Sequence, residues 1–134
     1  TRNPVPEIGW HDVHVQAETG PDWLKQLPPR FLGFHWHGET FSLPVGARRI
    51  FSNHFCQNQG FILGSLYALQ CHVEMTQDLV RQWVVDSPQD LEQPSTSVQT
   101  AAAMTTDLSA RVTQLQAVAD VIYTAWLAQL GQHR

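Results

Sequence analysis

The sequence predicts an α/β architecture, a mixed sheet with flanking helices on its faces, and three stretches carry that expectation. Leu66-Tyr-Ala-Leu-Gln-Cys71 is an apolar run too short for a helix and suited to an internal strand covered on both faces. Gly60-Phe-Ile-Leu63 and Leu66-Tyr-Ala-Leu69 flank Gly64-Ser65, a two-residue hairpin signal that brings an antiparallel pair into the sheet. From Thr106 onward Leu108, Val112, Leu115, Ala119, Ile122, Trp126 and Leu130 recur at steps of three and four, which predicts a long helix over about 106–130, with Gly131 placed to end it. A helix with such a stripe either covers the core or binds a partner, and core cover is the commoner use.

The remaining elements follow in chain order. In Ile8-Gly-Trp-His-Asp-Val-His-Val15 the apolar residues change register, Ile8 and Trp10 on one parity and Val13 and Val15 on the other, so a strand with a bulge or change of face near His11-Asp12 is expected. His11 and His14 then read as solvated strand residues. Gly20-Pro-Asp-Trp-Leu-Lys-Gln-Leu27 reads as a turn and short helix that Pro28-Pro29 stops. Phe31-Leu-Gly-Phe-His-Trp-His37 is an aromatic-rich strand closed by Gly38; Leu43-Pro-Val-Gly46 makes a turn, and Arg48-Arg-Ile-Phe51 a short strand. Thr76 suits a helix N-cap and Asp78 the first turn, with Leu79, Val80, Trp83 and Val84 at helical spacing behind them. Asp86-Ser-Pro-Gln-Asp-Leu-Glu-Gln-Pro-Ser-Thr-Ser97 is polar and holds two prolines, as a surface loop over about 86–100 would.

Composition narrows the function. With a formal charge of −4 and only eight Lys and Arg residues, the chain has no basic stripe for nucleic acid. No apolar run reaches the roughly 18 residues of a membrane span, and two cysteines outside any disulfide-like framework fit a reducing cytoplasm. A chain of 134 residues with 43% hydrophobic content suits one compact unit.

The chemistry-bearing residues gather where the Leu66–Cys71 strand gives way to the helix after Thr76. His72 and Glu74 stand two apart, so on extended backbone both side chains point to one side, and a carboxylate can there fix the tautomer of an imidazole and stabilise its protonated form. Ligands of open α/β sheets collect outside the carboxyl ends of strands, where this junction falls. A histidine at a strand end is, however, more often a hydrogen-bonded structural residue. A second histidine pair, His35 and His37, shares a face of its strand and with Glu39 suggests metal ligation, but the third ligand would have to come from His54 or His72, and the spacing favours no metal.

Leu69-Gln-Cys-His-Val-Glu-Met-Thr76 resembles the Q-x-H-x-E-x-T signature of class I glutamine amidotransferases, and His35-Trp-His-Gly-Glu-Thr-Phe-Ser-Leu-Pro44 resembles the H-G-D…L-P segment of that family. Asn3-Pro-Val-Pro-Glu-Ile-Gly-Trp10 is similar to the P-x-x-E-I-G-W strand of its GMP-synthase-like members, and Cys56-Gln-Asn-Gln-Gly-Phe61 to their C-x-N-Q-A-F turn. The motifs occur in the family's order between about Asn3 and Trp83. Val73 stands where many members have Pro, Gly60 where they have Ala, and Glu39 where they have Asp.

One family feature does not occur in this sequence: the nucleophile Cys on a tight G-x-C-x-G elbow. Cys71 neighbours His72, so alternation sends the two to opposite faces. Cys56 lies in a loop without the glycines of an elbow, though His54, two residues away, leaves a reactive thiolate open. The resemblance therefore implies that residues 1–134 are a single partial domain, the C-terminal portion of a flavodoxin-like class I amidotransferase domain, whose preceding half supplies the elbow, the oxyanion loop and most of the parallel strands. In the complete domain a Cys thiolate would attack the side-chain amide of glutamine and release ammonia, with His72 moving protons and Glu74 holding His72. The Trp36-His37-Gly38 backbone would lie near the amino-acid end of the substrate, and no cofactor or metal would be required. The implied partners are glutamine or a γ-glutamyl compound, the preceding half-domain and an ammonia-accepting synthetase. A γ-glutamyl peptidase or hydrolase using the same machinery, and a non-catalytic binding module, remain alternatives.

Overall fold

Strand β1 (Arg2–Val15) is the spine of the molecule, pairing with β2 (Arg30–Glu39) on one side and β3 (Arg48–Ser52) on the other. Strands β4 (Gly60–Leu63) and β5 (Leu66–Leu69) extend the sheet to the order β2-β1-β3-β4-β5, with antiparallel pairing throughout. The computed structural model describes residues 1–131. Helices α1 (Gln77–Asp86), α2 (Ala101–Thr105) and α3 (Leu108–Gly131) complete the α/β fold, with short 3-10 helices at Asp22–Gln26 and Pro88–Leu91. No helix among the described residues is long and apolar enough to cross a membrane.

Local chemistry accounts for the elements that position the site. The β4–β5 hairpin turns at Gly64-Ser65, and Gly64 has φ +59°, the conformation a two-residue turn asks of its first central residue and that Gly adopts without steric cost. Thr76 caps α1 as expected: its backbone is extended and its Oγ1 accepts the N–H of Leu79 at 3.2 Å. Gly60 faces Phe51; a Cβ there would come within 2.9 Å of the Phe51 ring.

Both faces of β1 are covered, which explains its change of apolar parity. Ile8 and Trp10 are buried on one face, and Val13 and Glu7 on the other. Pairing with β2 is regular from Glu7 to His14, so the register shift lies between Arg2 and Glu7 instead of near His11-Asp12. Gly9, at φ +109°, lets the side chain of Gln99 lie against the strand, where it accepts from the N–H of Trp10 at 2.8 Å. Each fully buried large side chain, Phe34, Ile50 and Met104 among them, contributes about 1.5–3 kcal/mol by leaving water.

Three further expectations are corrected. β5 is not an internal strand: it ends the sheet, with Leu66 exposed and Tyr67, Ala68 and Leu69 half-buried, because an apolar run does not reveal how many of its sides are covered. The chain beyond it crosses instead to the outer side of β2, where the N–H of His72 donates to the carbonyl of Phe34 at 2.8 Å, so the sheet curls. The polar segment after α1 is not wholly surface loop: Ser97 and Val98 are buried, and Ile8 bridges Val98 in parallel register. In α3, Leu108 to Ile122 cover the core as expected, but Trp126 and Leu130 lie off it and remain exposed. That end of the helix is held by polar contacts to the hairpin turn, Trp126 Nε1 donating to the Ser65 carbonyl at 3.0 Å and Gln129 Nε2 to that of Gly64 at 2.9 Å.

Candidate functional site

The segment after β5 alternates strictly. Cys71, Val73 and Met75 are buried, and His72 and Glu74 point outward together. The outward pair meets as the spacing predicts, His72 Nδ1 lying 2.7 Å from Glu74 Oε1. The hydrogen bond from His72 is the main reason the Glu74 carboxyl is held below its ordinary value; burial opposes it, and the backbone N–H groups of Glu74 and Val73 add to it. Val73 thus offers the carboxylate an N–H that a proline there would lack. With side-chain exposures of 30% and 50%, the pair is accessible from outside the sheet.

An aromatic wall borders it. The ring of Trp83 from α1 stands edge-on to His72, with centroids 4.9 Å apart and planes at 87°, and edge-on to Trp36 at 6.0 Å. Trp36 is tied in turn by its Nε1 donating to Asp90 Oδ2 at 2.9 Å. Trp36 therefore shares the His72 side of β2, whereas the side chain of His37 points through the other face. Around Gly38 there is open space, with no atom of the described residues within 4 Å of where a Cβ would stand. Of the residues the sequence singles out, His72 and Glu74 meet directly and Trp36 joins them through Trp83, while the His37 side chain bonds Glu7 on the opposite face.

Neither thiol is placed as a nucleophile for this pair. Cys71 is buried on the opposite face from His72, as alternation predicts, and burial pushes its thiol up to about 12. Cys56 is buried too, with Thr40 Oγ1 at 3.3 Å from its sulfur, and burial raises its thiol as well.

Three of the four sequence motifs converge on the other face of the sheet. Glu7, opposite His37 across the β1–β2 pair, is fully buried and has Oε1 2.8 Å from His37 Nε2, 2.7 Å from Gln59 Nε2 and 3.4 Å from His35 Nδ1. Asn53 donates its side-chain amide to Glu7 Oε2. Burial alone would raise the Glu7 carboxyl, but His37, His35, Asn53 and Gln59 together hold it below its ordinary value. Burial holds His35 down at about 4, a neutral ring at pH 7. The acidic group beside the H-x-H pair is thus Glu7 and not Glu39, whose carbonyl merely accepts from His37 Nδ1 at 2.7 Å; neither His54 nor His72 joins the cluster. The sequence signal for Glu7 is its place in the Pro-Glu-Ile-Gly-Trp segment, but no local spacing tells which distant strand it will face. Trp83 was likewise legible only as a helix residue.

No family model matches the sequence, and no curated protein matches it. Solved structures do. The fold is similar to the crystal structure of a glutamine amidotransferase from Methylobacillus flagellatus, with a TM-score of 0.88 and 33% identity over 96% of this chain and 55% of that one. It is also similar to that of a glutamine amidotransferase from Thermotoga maritima, with a TM-score of 0.80 and 25% identity over 93% of this chain and 53% of that one. The chain spans about half the length of these relatives. Architecture, identity and the ordered motifs agree in making this chain similar to part of a glutamine amidotransferase.

Proposed function

We propose that this chain carries the proton-transfer half of a site that hydrolyses the side-chain amide of glutamine, completed by a cysteine nucleophile from outside these residues. The observation that carries the reading is the 2.7 Å contact between His72 Nδ1 and Glu74 Oε1. A carboxylate at Nδ1 keeps the proton of the neutral ring on that atom, which leaves Nε2 as the base. The thiol gives its proton to His72 Nε2 and its sulfur bonds to the amide carbon. The C–N bond then breaks as His72 returns the proton to the departing ammonia. Water attacks the resulting thioester as His72 accepts its proton, the C–S bond breaks, and His72 returns the proton to the departing thiolate as glutamate leaves. Glu74 stabilises the imidazolium in both halves of the cycle, and the exposed backbone at Trp36-His37-Gly38 offers polar groups to the amino-acid end of the substrate.

Both amidotransferase structures described above support glutamine as the substrate, and the alternation that buries Cys71 away from His72 supports an external nucleophile. The test is ammonia release from glutamine by the complete gene product, measured beside cleavage of γ-glutamyl peptides. Hydrolysis of glutamine in preference to the peptides is the expected result; preferential peptide cleavage identifies a γ-glutamyl hydrolase, and neither activity overturns the proposal.

A further inference from the structure

The cluster on the far face of the sheet has a chemistry of its own. Glu7, His35 and His37 present one ligand atom each, all within 4.8 Å of one another. The outer nitrogen of each ring is engaged by a backbone carbonyl: His35 Nε2 lies 3.2 Å from the carbonyl of His11, and His37 Nδ1 lies 2.7 Å from that of Glu39. A carbonyl only accepts, so these contacts place the ring protons on the outer nitrogens. The inner nitrogens, His35 Nδ1 and His37 Nε2, then face the same Glu7 oxygen at 3.4 and 2.8 Å, three potential ligand atoms turned toward one point. His35 Nδ1 is the clearest sign, since it is fully buried and has no hydrogen-bond partner among the described residues. Histidine ligands of metals are oriented in this way, by donating the far N–H to a carbonyl.

We propose that Glu7, His35 and His37 form a binding site for a divalent transition-metal ion of the zinc class, which ties β1 to β2. Two imidazoles and a carboxylate suit such an ion better than a hard cation of the calcium or magnesium kind. Bond lengths of about 2.0–2.2 Å in a tetrahedron separate neighbouring ligands by roughly 3.3 Å. The separation between His35 Nδ1 and Glu7 Oε1, 3.4 Å, meets that requirement, and the 2.8 Å between His37 Nε2 and the same oxygen widens by a small movement of His37. Gln59 Oε1, also buried without a partner, is available as a fourth oxygen once its amide turns, and Asn53 holds the second carboxylate oxygen. His37, with 6% of its side chain exposed, marks the route from solvent.

The test uses the wild-type chain, stripped with a chelator and titrated with Zn2+ and, separately, Co2+. Binding of one equivalent, a zinc-dependent rise in Tm and the intense visible bands of four-coordinate Co2+ are expected. Glu7→Gln and His37→Gln should each weaken zinc binding by more than the ~10–100-fold that loss of an outer-shell partner costs, whereas His54→Gln should change nothing. Should either variant misfold, nitrogen NMR of the wild-type histidines replaces it. Zinc-bound inner nitrogens on His35 and His37 support the site, and a His37 protonated on both nitrogens in the presence of zinc overturns it. Absence of a zinc-dependent Tm shift, or Co2+ bands that survive Glu7→Gln, overturns it equally.

Discussion

His72 and Glu74 owe their contact to the pleat of five residues, Cys71 to Met75, whose odd members anchor the even ones. Because Cys71 lies on the anchoring side, its thiol should resist chemistry that His72 invites. The thiol, pushed up to about 12, stays protonated at pH 8, so native Cys71 should react with iodoacetamide orders of magnitude more slowly than a free cysteine; mass spectrometry of peptides from native protein checks this, and rapid labelling contradicts it. The linkage has a definite sign. Between the ordinary thiol value of 9.0 and about 12 the unfolded chain gives up the Cys71 proton while the folded chain keeps it, so stability falls as pH rises through that range. Denaturant unfolding at pH 8 and pH 10 should show the fall in the native chain and a shallower one in Cys71→Ala. A residue-scale prediction of the opposite kind concerns Gly9: at φ +109° and facing Gln99, Gly9→Ala should cost at least about 1–3 kcal/mol, measured by the same unfolding experiment.

At the scale of elements, helix α1 links the site to the fold by carrying Trp83 against His72. Thr76→Ala removes the cap of α1 and should cost about 1 kcal/mol, with amide exchange rising at Leu79 first; unchanged exchange there would detach the cap from the site. Elements whose signals are local were legible in the sequence: the Gly64-Ser65 hairpin, the Thr76 cap, the i, i+2 placement of His72 and Glu74, and the apolar stripe of α3 as far as Ile122. What the sequence left open depends on distant partners. Nothing within Leu66–Leu69 tells that β5 ends the sheet, and nothing within α3 tells that its stripe outlasts the core it covers. Glu7 meets His37 only because β1 and β2 pair in one register, and a shift by a single residue would turn it to the other face.

The whole molecule shows apolar surface where the sheet ends. Leu63 and Leu66 on the hairpin are exposed beside the end of α3, where Trp126, Leu127 and Leu130 are exposed as well. An unpaired edge strand next to an apolar patch favours association. The 134-residue chain by itself should therefore self-associate at micromolar concentration in analytical ultracentrifugation, and Leu66→Lys should reduce it; a strictly monomeric chain would show that this surface needs no cover. The central claim, that His72, oriented by Glu74, moves protons for amide cleavage, has a more direct test: steady-state glutamine hydrolysis by the complete gene product carrying His72→Ala. Removal of a general acid–base group costs about 10²–10⁴-fold, so kcat should fall by at least that much while the circular dichroism spectrum stays that of the native protein. Turnover equal to that of the native protein would contradict the account.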